Sequence, residues 1–153
     1  MRLSGRENRM TKSNMAKANV VFVCVENAGR SQMAEGFAKR FGKDHIEAWS
    51  TGSKPSGKIN ETAIEVMNEH GIDISAYRSK GLSDLPDVKW DYVVTMGCGD
   101  ACPFVPSKGR SDWDIPDPKG RTKEDVRNIC RQIEDQVIEL IHRAITEGYG
   151  RDK

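Results

Sequence analysis

No apolar run in this chain approaches the ~20 residues that a membrane-spanning helix needs, and none is expected to cross a bilayer. Charge of one sign is equally lacking. Lys and Arg number 24 against 23 Asp and Glu, a net charge of +1. No basic block stands out, so the sequence points to neither a nucleic-acid nor a membrane-surface partner. Residues 1–18 carry Arg and Lys but lack the apolar segment of a signal peptide. They also lack periodicity and read as a disordered N-terminal tail, with Met10 and Met15 as alternative starts. Cysteine is scarce, at positions 24, 98, 102 and 130. Four cysteines without a secretion signal do not make a disulfide framework in a chain of this size. A reducing cytoplasm with catalytic thiols is the expectation. The three histidines, 45, 70 and 142, are scattered. They complete no metal site with the C-x3-C pair at 98 and 102, and no metal is expected. No repeat or low-complexity segment interrupts the chain.

Charged residues make up 31% and hydrophobic ones 37% of the 153 residues, the balance of one globular domain with a sizeable core. That domain is read as 19–147. Its organising stretch is Cys24-Val25-Glu26-Asn27-Ala28-Gly29-Arg30-Ser31. The apolar run Val20–Val23 before it reads as a buried strand. After it, Ala34, Phe37, Ala38 and Phe41 recur at helical spacing. A loop from strand end to helix start presents unpaired amides at the positive end of a helix dipole. Such a place binds a tetrahedral oxyanion, here through residues 25–31. Arg30 can add a bidentate guanidinium contact. The same field favours negative charge on sulfur, which makes Cys24 the candidate nucleophile. Ser31 is placed to donate to the sulfur, and Gly29 lets the backbone turn. Glu26 is expected to point outward, since a carboxylate facing the anion would repel it.

Further along, Ile46–Gly52 reads as a second strand and Ser53–Gly57 as a loop. Asn60 is the expected cap of a helix from Glu61 to about His70, with Ala63, Ile64 and Met67 inward. Ser83–Pro86 reads as a turn or short helix, and Tyr92–Met96 as a third strand. Trp113-Asp114-Ile115 is the candidate fourth. From Thr122 to about Ile145 runs the longest helix, with Val126, Ile129, Ile133, Val137, Leu140, Ile141 and Ala144 on its inner face. Cys130 falls on that face and reads as structural. Alternating strands and helices imply a parallel sheet covered on both faces.

Cys24, Arg30 and Ser31, followed by Gln32-Met33-Ala34-Glu35, resemble the low-molecular-weight protein tyrosine phosphatase superfamily. Within it they look most like the arsenate reductases. The similarity runs from about Asn19 to about Ala144. It implies a three-layer α/β/α sandwich around a four-stranded parallel sheet of order 2-1-3-4. Ligands in such sheets sit at the carboxyl ends of the strands, so Cys24 and Cys98 are expected at one edge.

The resemblance also assigns roles. Asp117, in Asp117-Pro118, matches the general acid, with Asp114 a weaker candidate. Asn27, Glu35 and Ser50 match positions that hold the loop's shape. In some arsenate reductases these three, with a downstream Asp, bind potassium. Lys80 stands at that downstream position, and its ammonium is expected to replace the ion. Cys98 and Cys102 match a disulfide relay to thioredoxin, although their spacing is shorter than usual. Gly97-Cys98-Gly99-Asp100-Ala101-Cys102-Pro103 looks more like relatives that couple arsenate to mycothiol without a relay. The implied partners are therefore arsenate or phosphate and a thiol reductant: thioredoxin, glutaredoxin with glutathione, or mycoredoxin with mycothiol. No bound cofactor and a monomeric protein are expected. Phosphatases of this fold have two aromatics after Asp-Pro. Here Lys119-Gly120 follow, so the phosphatase alternative has less support.

Overall fold

The computed structural model describes residues 17–97 and 104–148. Most of the expected tail, and with it both alternative starts, lies outside these residues, as do Cys98 and Cys102. Four strands, β1 (Ala18–Cys24), β2 (Ile46–Gly52), β3 (Trp90–Met96) and β4 (Ser107–Trp113), form one sheet of order β2-β1-β3-β4. All three pairings are parallel. The helices are α1 (Arg30–Phe41), α2 (Glu61–Glu69) and α3 (Lys123–Glu147), with a 3-10 turn at Leu82–Asp84. This is the α/β architecture and strand order anticipated.

The central strands are apolar because both of their faces are covered. Val20 and Phe22 of β1 pack with Met33, Ala34 and Phe37 of α1, with Val66 of α2 and with the inner face of α3. Val21 and Val23 point to the opposite face, where Trp90, Val93 and Val105 close over them. Among the described residues no long helix packs in that second layer. Trp49 and Trp90 meet there edge to face at 5.2 Å, which adds a directional aromatic contact to the burial.

Local signals explain most boundaries. Asn60 Oδ1 accepts from Ala63 N at 2.9 Å, and Thr122 Oγ1 from Asp125 N at 3.1 Å, so α2 and α3 each start at a side-chain cap. All seven expected inner-face residues of α3 are buried. Three readings need correction. The fourth strand is Ser107–Trp113, ending where 113–115 was expected to begin. As an edge strand with mostly exposed polar side chains it carries no apolar alternation, and only its last residue, Trp113, is buried. Phe41 is 44% exposed at the end of α1 and stacks on Phe37 at 5.8 Å instead of entering the core. Val66 takes the fully buried place on α2, while Ile64 is only half-buried.

Cys130 is fully buried, its Sγ 3.7 Å from Met67 Sδ. Burial pushes its thiol up to about 12. In the unfolded chain a cysteine ionises near ~8.5. Between those values the folded protein keeps a proton that the unfolded chain releases, so stability falls as pH rises through this window. Urea unfolding at pH 8 and pH 11 should show wild type losing more stability than Cys130→Ala. Equal losses in the two proteins would contradict this account.

Candidate active site

The site begins where β1 ends. Cys24 is the last residue of β1 and pairs with Gly52 at the end of β2. A Cβ at Gly52 would lie 2.5 Å from Val25 O and 2.9 Å from Asn27 N. Only a glycine at that point lets the 25–29 loop fold over the sheet edge.

Every carbonyl from Cys24 to Gly29 then accepts a hydrogen bond. Ser53 N donates to Cys24 O at 3.3 Å, Lys54 N to Val25 O at 2.8 Å, and Ser56 N to Glu26 O at 3.1 Å. Ser79 Oγ also donates to Glu26 O, at 2.8 Å. Asn60 N serves Ala28 O at 2.8 Å, and Met33 N serves Gly29 O at 2.9 Å. Gln32 Nε2 donates to Asn27 O at 3.0 Å. In contrast, among the described residues none accepts a hydrogen bond from the backbone N–H groups of 26–31. Asn27 has φ +51°, a conformation asparagine tolerates and one that suits an anion-binding nest. The loop therefore presents donors to the cavity at the start of α1, where the helix dipole adds positive potential.

Around this nest the expected residues converge. Cys24 Sγ lies 2.8 Å from Ser31 Oγ. Asn27 Nδ2 donates to the same Ser31 Oγ at 2.7 Å, while Lys80 N donates to Asn27 Oδ1 at 2.7 Å. Arg30 is 8% exposed and donates from Nη1 to Ile115 O at 3.1 Å. Its Nη2 lies 3.7 Å from Asp117 Oδ2. Gly97, at φ +67°, covers the guanidinium so closely that a Cβ there would fall 2.3 Å from Nη1. Asp117 Oδ1 accepts from Lys119 N at 3.0 Å, which fixes the turn that carries the carboxylate. Glu26, expected to point outward, stands on the cavity wall beside Lys119 and meets its Nζ at 3.0 Å, and this partner raises the Lys119 ammonium above its ordinary value.

Behind the loop, Glu35 is buried. Ser50 Oγ donates to it at 2.5 Å, and the ammonium groups of Lys39 and Lys80 lie 2.6 and 3.6 Å away. Lys80 Nζ also reaches Ser50 Oγ at 3.3 Å and Arg78 O at 2.9 Å. Burial pulls the Lys80 ammonium below its ordinary value, and Glu35 opposes this. For Lys39 burial has the same sense, but the hydrogen bond and charge of Glu35 hold it above the ordinary lysine value. With a lysine ammonium among these oxygens, the residues present do not fit a potassium ion.

A cavity of about 970 Å³ opens above Cys24, walled by Ile59, Asn60, Asp114, Ile115 and Pro118. No aromatic side chain lines it among the described residues. The two loop thiols, Cys98 and Cys102, fall outside the described residues. Reading the sequence missed the donors that satisfy the loop carbonyls: the backbone of Ser53, Lys54, Ser56 and Asn60, the Ser79 hydroxyl and the Gln32 amide. Backbone donors leave no mark in side-chain identity. Gln32 follows Arg30 and Ser31 in the first turn of α1, where one more polar residue carries no distinguishing mark.

Residues 19–148 match the family model described as low molecular weight phosphotyrosine protein phosphatase. A glutaredoxin arsenate reductase from Synechocystis sp. is 39% identical over 125 residues, 80% of this chain and 95% of that protein. A solved structure described as an arsenate reductase in the phosphate binding state superposes with TM-score 0.75 at 36% identity, covering 82% of this chain and 98% of that one. A thioredoxin-dependent arsenate reductase from Corynebacterium glutamicum superposes with TM-score 0.71 at 32% identity, covering 95% of this chain and 71% of that one.

Two variants test the anion site. Arg30→Lys keeps the charge but loses the planar fork, so phosphate binding by calorimetry should weaken by about tenfold or more. Unchanged affinity would remove Arg30 from the site. Asp117 faces the same guanidinium, and an incoming anion must share Arg30 with it. Asp117→Asn should therefore bind phosphate about fivefold more tightly, the scale set by ~1 kcal/mol between unit charges 4 Å apart in water. Weaker binding in this variant would contradict the competition.

Proposed function

The chain belongs to the low molecular weight phosphotyrosine protein phosphatase family, among its arsenate reductases, and from that premise we propose the following course for the reduction of arsenate to arsenite in its 19–147 domain. The observation that carries this reading is the loop itself: satisfied carbonyls outside, N–H groups and Arg30 inside, and Cys24 Sγ below them. Arsenate docks there with its charge neutralised by those donors. The Cys24 sulfur attacks arsenic, forming an S–As bond while one arsenate oxygen leaves as water. Asp117 supplies a proton to that oxygen. A second thiol then attacks Cys24 Sγ. The electron pair of the S–As bond passes to arsenic, which leaves as arsenite. Arsenic goes from the +5 to the +3 state as two thiols become a disulfide.

The second thiol is Cys98, relayed through Cys102 to a thioredoxin-like reductant, or else a small thiol recycled by a glutaredoxin-like one. The names of the two coupled relatives support a thiol reductant of this class. We place the reaction in a reducing compartment, the cytoplasm, and in a monomer. Cys24 and Cys130 are both free thiols, and no helix among the described residues is long and apolar enough to cross a membrane. Among the described residues no aromatic side chain lines the cavity to stack on an aryl group, which argues against aryl phosphates.

Arsenite formation should be measured with thioredoxin, glutaredoxin–glutathione and mycoredoxin–mycothiol systems in parallel. Wild type should turn over with at least one of them, and Cys24→Ser with none while remaining folded. Reductant-independent hydrolysis of an aryl phosphate, with no arsenite from any system, would replace this reading with a phosphatase.

A further inference from the structure

Gln32 is a fully buried polar side chain that the catalytic course above does not use. Its Nε2 lies 3.0 Å from Asn27 O, 2.7 Å from Asn27 Oδ1 and 2.8 Å from Arg78 O. Two of these three are backbone carbonyls, so only the NH2 end of the amide can face them. Gln32 is therefore a donor to Asn27. Lys80 N, which can only donate, reaches the same Asn27 Oδ1. These two independent donors fix oxygen at that end of the Asn27 amide and turn its NH2 toward Ser31. Ser31 Oγ accepts from this NH2, which leaves the Ser31 proton for Cys24 Sγ.

We propose that Gln32 is a positioning residue for the nucleophile: its amide holds Asn27 so that the Ser31 hydroxyl donates to Cys24. Gln32 acts from the rigid first turn of α1 and clamps both the backbone and the side chain of Asn27, the one described non-glycine residue with positive φ. Without the clamp, Asn27 is held at Oδ1 by Lys80 N alone, and its buried carbonyl loses its partner, a loss that disfavours the strained backbone. Nε2 carries two protons for its three acceptors, so two of them share one proton; Arg78 O also accepts from the Lys80 ammonium, which ties the loop to the Glu35 cluster.

The proposal rests on Cys24 being the nucleophile but not on the identity of the substrate. Its test is accordingly the rate of iodoacetamide labelling of Cys24 against pH, without arsenate or reductant. Gln32→Met keeps length and volume but removes the donor. The midpoint of the labelling profile should rise by about one pH unit, so labelling on the acid side slows about tenfold. Asn27→Asp keeps the acceptor for Lys80 N but removes the NH2 facing Ser31, and should raise the midpoint likewise. Because Gln32 acts through Asn27, the double variant should show little more than the larger single shift. An unchanged midpoint in folded Gln32→Met, or fully additive shifts, would overturn the proposal. Should the variants not fold, the wild-type protein provides the second measurement. The side-chain amide protons of Gln32 and Asn27 should both be protected from solvent exchange by NMR, and rapid exchange at Gln32 would overturn it equally.

Discussion

The structure depends on the direction in which one short piece of backbone faces. From Cys24 to Gly29 each carbonyl is held by a donor from outside the loop or from the first turn of α1. A peptide unit whose C=O points one way has its N–H pointing roughly the other way. Satisfying the carbonyls on the outside is what leaves a concave set of donors inside. The chain between β2 and α2 exists, in this sense, to donate outward-lying N–H groups to that loop. Gly52 supplies the necessary close approach, and Asn60 both donates to Ala28 O and caps α2.

Electrostatics reinforces the same geometry from behind. A buried carboxylate such as Glu35 requires compensation, because desolvation is expensive in an apolar surround. Two ammonium groups and a serine hydroxyl provide it. One of these, Lys80, is also the residue whose backbone N–H orients Asn27. Its side chain and its main chain thus serve the two halves of the support, one neutralising Glu35 and the other fixing an amide beside the nucleophile. On the front, Arg30 is shared between Ile115 O and Asp117 and covered by Gly97. The guanidinium is in place before any anion arrives, so little side-chain ordering remains to be done on binding.

Much of this was legible in the residues. The apolar run before Cys24, the helical spacing after it and the capping Asn60 located three elements, because buried strands and amphipathic helices repeat in sequence at their structural periods. Other features were hidden for equally physical reasons. β4 is an edge strand whose polar residues face solvent, so nothing in 107–112 alternates. Phe41 has helical spacing but lies at the last turn, where α1 has already left the core. The loop's outer belt works through backbone N–H groups, which any residue type supplies. Lys80 could be matched as a side chain, while its main-chain N–H, common to every residue but proline, gains its role only from the folded approach to Asn27.

The central claim is that the loop amides, and not those of the surrounding belt, receive the oxyanion. Titration of ¹⁵N-labelled protein with arsenate, followed through backbone amide resonances, tests it most directly. The account predicts saturable shifts at Glu26, Asn27, Ala28, Gly29, Arg30 and Ser31, with the amides of Ser53, Lys54, Ser56 and Asn60 staying bonded to their carbonyls. Shifts confined to the 53–60 belt, or none at the loop under saturating arsenate, would contradict it.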